Sequence, residues 1–300
     1  MYDIIIIGGG PAGLTASIYG RRANKKVLLI EAKTIGGQII NTLNIENYPG
    51  NYKINGFELA TKILNQTKEL GTEIANETVY DIKANDDYKE VITYDNTYKT
   101  KTVIIATGSD SRKLGLSNED ELIGKGISYC ATCDGNFFRG KDVAVVGGGT
   151  TAIEDAIYLS DIVNKVYLIH RRDSFNVDDS LLNKLKEKSN IEYIYNSNVT
   201  KLIAQDKLNS IEITNKDGST NTVDVEGLFV AIGRVPENQN YAKLLNLDNY
   251  GYIIADEDCH TNIDGIYVAG DARTKSLRQL VTATNDGAIA ATEAVKYINK

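Results

Sequence analysis

Twice along the chain an apolar, strand-like run breaks on a glycine cluster and resumes as a helix, and this repeat restricts the fold more than any other feature. In the first copy Tyr2 to Ile7 leads into Gly8-Gly9-Gly10-Pro11-Ala12-Gly13, followed by a helix from Leu14 to Arg22 and a strand from Val27 to Glu31. That is G-x-G-x-x-G opening a βαβ unit. Gly8 permits the tight turn, Gly10 lets the backbone approach a pyrophosphate, and Gly13 lets the helix pack closely on the strand. The helix N-terminus then offers phosphate its unpaired N–H groups and its favourable dipole. Glu31, eighteen residues beyond Gly13, stands where a carboxylate can accept hydrogen bonds from ribose hydroxyls.

The second copy runs from Lys141 to Val146, through Gly147-Gly148-Gly149-Thr150-Thr151-Ala152, into a helix from Ala152 to Ser160 and a strand from Lys165 to Ile169. Gly147, Gly149 and Ala152 make the accepted G-x-G-x-x-A variant. At the position matching Glu31 stand His170-Arg171-Arg172. A carboxylate repels a 2′-phosphate, whereas a guanidinium grips it with forked, charge-assisted hydrogen bonds. The first site therefore suits FAD or NAD, and the second, through Arg171 and Arg172, suits NADP.

Both copies close on similar strands, Val103 to Gly108 and Leu228 to Gly233. A further apolar strand, Gly265 to Asp271, and a helix from Thr284 to Ile298 carry no glycine loop of their own, so they return to the first module. The expected fold is α/β, with two Rossmann-like dinucleotide-binding domains, the second inserted in the first. Residues 1–112 and 243–300 form a discontinuous FAD-binding domain, and 113–242 a pyridine-nucleotide-binding domain carrying the dithiol. Between Glu73 and Thr100 the pattern reads as short antiparallel strands joined by polar turns such as Ala84-Asn85-Asp86-Asp87.

A net charge of −7 with no basic stripe argues against nucleic acid and anionic membrane surfaces as partners. No apolar run is long enough to span a bilayer, and Met1-Tyr2-Asp3 enters the first strand with no signal-peptide pattern, so the expected compartment is the cytoplasm. The three cysteines fit a reducing compartment rather than a secreted disulfide framework.

Two of those cysteines form Cys130-Ala131-Thr132-Cys133, just upstream of the second glycine loop. A structural zinc site needs about four ligands, and beyond this pair the chain offers only Cys259, His260 and His170. No metal is expected. Thiol–disulfide exchange is the better reading, because two adjacent thiols shuttle two electrons and the C-x-x-C geometry lowers a thiol pKa. Asp134 is either a general acid for a leaving thiolate or for reduced flavin, or a plain carboxylate at a helix start. Cys259, with no sequence partner, reads as a buried small hydrophobe.

With these motifs in place the whole chain resembles the low-molecular-weight bacterial thioredoxin reductases. The resemblance runs through both glycine loops, Gly36-Gly37-Gln38, Ile45 to Gly50, Ala106-Thr107-Gly108, Cys130 to Gly135, His170-Arg171-Arg172, Gly233 to Pro236, Gly270-Asp271 and Leu277-Arg278-Gln279. It implies a homodimer with FAD held by Gly8, Gly10, Gly13, Glu31, Gln38, Asn47, Thr107, Asp271, Arg278 and Gln279. It further implies that electrons pass from NADPH through FAD to the Cys130/Cys133 disulfide and on to thioredoxin. In that scheme Cys133 is the thiol nearer the flavin, Cys130 attacks the partner's disulfide, and Asp134 donates a proton. The resemblance implies too that the inserted domain swivels to present dithiol and nicotinamide in turn.

One position departs from the family pattern. NADPH-using members read H-R-R-x-x-x-R, and here the final arginine is Asn176, with Asp178 and Asp179 close behind. Losing one charge-assisted hydrogen bond of roughly 1.5–3 kcal/mol removes about one to two decades of affinity. NADPH remains the expected donor, with NADH or ferredoxin as alternatives. A dithiol oxidase and a non-catalytic nucleotide sensor are the readings from other classes.

Overall fold

The computed structural model describes residues 1–42, 44–175 and 177–300, with the backbone alone at Asn41. The chain forms two compact units, one of residues 1–110 and 235–300, the other of residues 111–234.

The first unit opens on β1 (Tyr2–Ile7), α1 (Pro11–Arg22) and β2 (Val27–Ile30). Ile4 to Ile7 and Val27 to Ile30 are almost wholly buried, as the uninterrupted apolar runs of a parallel strand covered on both faces require. The helix starts at Pro11, earlier than Leu14, since proline at the first helical position loses no intrahelical bond. Next come α2 (Gly56–Glu69) and β3 (Glu73–Ala75), then β4 (Val79–Ala84), β5 (Lys89–Thr93) and β6 (Thr97–Ile105).

Here the structure corrects one expectation: β3 pairs parallel with β2, Leu28 opposite Glu73, and is not part of an antiparallel run. Parallel neighbours need a crossover, and α2 supplies it. That helix had no counterpart in the sequence reading. Its start is held by the Asn55 side chain, which accepts hydrogen bonds from the N–H groups of Phe57 and Glu58. Antiparallel pairing does join β4 to β5 and β5 to β6.

Strands β7 (Ser109–Ser111) and, later, β16 (Arg234–Pro236) carry the chain out of the first unit and back, and they pair as a two-stranded ribbon. Between them lie β8 (Ile127–Ser128), α3 (Ala131–Asp134), β9 (Asp142–Val146), α4 (Thr150–Ser160), β10 (Lys165–Ile169), α5 (Asp179–Lys186) and β11 (Ile191–Ile194). An antiparallel meander follows, β12 (Ser197–Ala204), β13 (Leu208–Asn215) and β14 (Thr220–Asp224), and then β15 (Gly227–Val230). The parallel sheet of this unit has the order β11-β10-β9-β15-β8.

After β16 the chain stays with the first unit, so the return falls at 234/235 and not at 242/243. Asn238 is fully buried and its amide donates to the carbonyls of Gly251 and Ala272, while Tyr241 and Leu245 join the core behind β1 and β6. Finally β17 (Ile266–Val268) pairs parallel with the end of β6, and α6 (Leu280–Ile298) packs on α1. Strand β6 thus divides its open edge, pairing β5 along Thr97–Thr100 and β17 along Val103–Ile105. Among the described residues no helix is long and apolar enough to cross a membrane.

Candidate active site

In the first unit the glycine loop sits where β1, β6 and α1 converge. Gly8 has φ +110°, and a Cβ there would run into the Ala106 carbonyl; one on Gly13 would run into the Gly8 carbonyl. Both positions are closed to larger residues by backbone. Gly10 is different: a Cβ there would meet nothing nearer than the Gly37 Cα at 3.9 Å, which leaves open space above the helix start. Gly10 is also the N-cap of α1, and no side chain caps the helix. Its first N–H groups are therefore available to a phosphate, as a dinucleotide requires.

Glu31 directly follows β2. Its carboxylate accepts the Gly9 N–H at 2.5 Å and the Lys33 N–H at 2.7 Å, which ties Glu31 to the glycine loop. Beside it a cleft of about 360 Å³ is lined by Lys33, Ile35, Phe57, Leu64, Ile74 and Asn76 among others.

The other expected flavin contacts lie in the same unit, several paired with one another. The Asn47 amide donates to the Gln279 side chain at 3.0 Å, and the Gln38 amide to Asp110 at 2.7 Å. Thr107 donates to Asn238 at 3.4 Å. Gln279 caps α6 in a capping box with Thr282, and the Arg278 guanidinium lies 3.9 Å from the Tyr252 ring centroid, its Nε without a hydrogen bond. Asp271 stands in a 3₁₀ turn, Gly270–Ala272, directly beyond β17. An uncapped helix, an open glycine and a cleft beside the carboxylate together fit an adenine dinucleotide.

The second unit repeats the plan. Gly147 has φ +153° and abuts the Ala231 carbonyl as Gly8 abuts Ala106; Gly149 has open space around a built Cβ; Ala152 is fully buried. Gly149 is the N-cap of α4, again with no side-chain cap. The His170 ring lies against Gly148, and burial, with Arg172 and Arg171 beside it, pulls its pKa below the ordinary histidine value. Arg171 and Arg172 themselves are exposed. Asn176 lies outside the described residues.

Cys130 and Cys133 are joined in a disulfide, with Cα atoms 5.3 Å apart. Cys130 is the N-cap of the short helix α3, and its carbonyl accepts from Asp134 N at 3.1 Å. Asp134 at the end of α3 is mostly buried, which raises its carboxyl above the ordinary aspartate value, while a hydrogen bond from Ser128 pulls it partly back. The Ser128 hydroxyl lies 2.6 Å from Asp134 Oδ2, 3.3 Å from the Cys130 carbonyl oxygen and 3.1 Å from the Cys130 nitrogen. Just before the dithiol, Tyr129 donates to Glu119, a 2% exposed carboxylate that also gathers the N–H groups of Leu114 and Gly115. Cys259 is elsewhere: it is fully buried in the first unit, and burial pushes its thiol up to about 12.

Comparison with known proteins decides the family. The model of the pyridine nucleotide-disulphide oxidoreductases matches residues 2–287. The chain belongs to the pyridine nucleotide-disulphide oxidoreductase family. Among curated members, thioredoxin reductase of Listeria innocua is 42% identical over 302 residues, covering 100% of this chain and 95% of the relative. That of Mycoplasma genitalium is 44% identical over 293 residues, covering 97% and 93%. The crystal structure of thioredoxin reductase from Streptococcus pyogenes matches with a TM-score of 0.95 at 41% identity, covering 100% of this chain and 98% of that one.

In this oxidoreductase, three polar residues near the expected contacts were not singled out by the motifs. Ser128 was passed over although it stands two residues before Cys130; a hydroxyl so near a C-x-x-C-D was the available signal. Asp286, 3% exposed, accepts the Gly270 N–H at 3.0 Å and pairs with Arg273 and Lys275, fixing the turn that carries Asp271. Its signal was a carboxylate within the otherwise small and apolar stripe Gly287, Ala290, Ala291, Ala294. Asp155 on α4, raised by burial and by Glu154 to about 7, was hidden as one acid of a Glu-Asp pair in a helix.

Proposed function

We propose that this oxidoreductase reduces the disulfide of thioredoxin, electrons passing from NADPH through FAD to the Cys130/Cys133 pair. The single observation that carries the reading is a disulfide at the start of a short helix with a mostly buried, proton-favouring carboxyl next to it in sequence. The relatives' names support thioredoxin as the substrate.

In this reading Gly8, Gly10, Gly13, Glu31, Gln38, Asn47, Thr107, Asp271, Arg278 and Gln279 hold FAD on the first unit. Gly147, Gly149, Ala152, Arg171 and Arg172 hold NADPH on the second. Bound, the nicotinamide supplies a hydride and the flavin converts it to thiol-level reducing power. The chain's own residues do the rest. Cys130 as thiolate attacks the thioredoxin disulfide, forming a mixed disulfide and expelling a thiolate, which takes its proton from Asp134. Cys133 then attacks the Cys130 sulfur, releasing dithiol thioredoxin and restoring the Cys130–Cys133 disulfide. We place the enzyme in the cytoplasm as a homodimer.

Anaerobic stopped-flow mixing of the flavin-loaded protein with NADPH, NADH and reduced ferredoxin in turn tests the donor. Bleaching by NADPH, then flavin recovery on adding oxidised thioredoxin, is the expected result. Bleaching by NADH or by ferredoxin alone would replace the donor, and failure of thioredoxin to reoxidise the enzyme would overturn the substrate.

A further inference from the structure

Ser128 is 3% exposed and touches three polar atoms, each belonging to the dithiol segment or to Asp134. A serine hydroxyl has one proton to give and two lone pairs to offer. It cannot donate to the Asp134 carboxylate and the Cys130 carbonyl at once. The distances match two alternative arrangements of one hydrogen. With Asp134 ionised, Ser128 donates to Oδ2 at 2.6 Å and accepts the Cys130 N–H at 3.1 Å. With Asp134 protonated, the carboxyl donates to Ser128, whose own O–H turns to the Cys130 carbonyl at 3.3 Å, and the Cys130 N–H stays paired. In both states Asp134 Oδ2, the Cys130 N–H and the Cys130 carbonyl, which also accepts from Cys133 and Asp134 N–H, each keep a partner, and no heavy atom needs to move.

We propose that Ser128 is a positioning residue for the proton donor of the dithiol, a hydroxyl rotor that stays bonded to Asp134 before and after it gives up its proton and holds the ionised carboxylate the more strongly. This rests on the reading of Asp134 as general acid. The balance is simple: the S–S bond of the substrate breaks as the Cys130–substrate bond forms, the Asp134 proton moves to the departing thiolate, and the Ser128 hydroxyl turns from the Cys130 carbonyl to the new carboxylate.

The charged and titratable side chains around Asp134 leave that role to Ser128. Directly after β8 Tyr129 is turned to Glu119, and beyond the following 3₁₀ turn Arg139 is bonded to Asn136. Helix α4, packed against α3, carries Glu154, Asp155 and Tyr158. Burial and the Ser128 hydroxyl are nevertheless the two influences on the Asp134 carboxyl. Removing the hydroxyl leaves burial unopposed, and a buried carboxyl without its donor holds its proton to higher pH.

The test is the single-turnover rate at which flavin-loaded, pre-reduced enzyme reduces oxidised thioredoxin, followed across pH. The alkaline limb assigned to Asp134 by its loss in Asp134→Asn should move up by about one pH unit in Ser128→Ala and return in Ser128→Thr. Asp155→Asn identifies any separate ionisation near pH 7. Ser128→Gly stands in if the alanine variant does not retain flavin. A second readout does not depend on turnover: the Asp134 carboxyl band in infrared difference spectra, identified by its absence in Asp134→Asn, should titrate higher by the same amount. An unmoved limb and band in Ser128→Ala, with Asp134→Asn still abolishing both, would overturn the role of Ser128 alone. Full rate and an intact limb in Asp134→Asn would instead sink the general-acid reading, and the Ser128 proposal with it.

Discussion

At Glu31, the residue proposed to read the ribose, one carboxylate takes two backbone N–H groups, Gly9 and Lys33. The side chain therefore shapes the glycine loop before any cofactor arrives. Glu31→Ala should weaken FAD binding by about 10- to 100-fold, the worth of one charge-assisted hydrogen bond, read by fluorescence titration of flavin-free protein. Asp155 gives a pH prediction. Its folded pKa, raised by burial and by Glu154 to about 7, lies above the ordinary aspartate value, so the folded state favours the protonated form. The stabilisation it brings is complete only below the ordinary aspartate value of 3.8, declines above it, and is gone once pH has risen past about 7. The advantage of Asp155→Asn over the wild type should therefore be larger at pH 8 than at pH 5, by at least ~1 kcal/mol or about 2–4 °C in protein free of pyridine nucleotide. Equal gaps at the two pH values would contradict the shift.

Among the elements, α1 and α6 are the pair on which the first site depends. Gly287 of α6 meets α1 so closely that a Cβ would run into the Ala12 carbonyl, one residue from the Gly13 that closes the loop. Gly287→Ala should push α6 off α1, destabilise the protein by roughly 1–3 kcal/mol in urea unfolding, and loosen FAD as well. The same substitution at Gly149, around which there is open space, should leave unfolding almost unchanged. Helix α2 shows why element-level reading fell short. Leu59, Ala60, Ile63 and Leu64 recur at helical spacing behind the Asn55 cap, so the helix itself was legible; what the sequence left open was its role as the crossover that makes β3 parallel.

On the scale of the whole molecule, each of the five apolar clusters among the described residues lies within one unit, three in the first and two in the second. Separate cores predict separable unfolding. Calorimetry of flavin-free protein should resolve two transitions; FAD at a hundred times its Kd should raise only one of them, by ~2.7 kcal/mol or roughly 5–10 °C, and the pyridine nucleotide only the other. A single transition moved by both ligands would show that the units unfold as one.

Both nucleotide modules and the dithiol could be read from the chain because they rest on local rules. A strand breaking on glycines, a helix opening there and an acid or base eighteen residues on are matters of backbone sterics and sequence spacing, and each lies within about thirty residues. Cys130 and Cys133 are likewise neighbours in sequence. The parallel placement of β3, the return of the chain at Val235 and the pairing of Asn47 with Gln279 join residues far apart in sequence, so only packing could decide them. Ser128 and Asp134 lie six residues apart, yet their hydrogen bond also needed tertiary structure: the strand and helix had to be laid side by side and dried before a hydroxyl and a carboxyl became each other's environment.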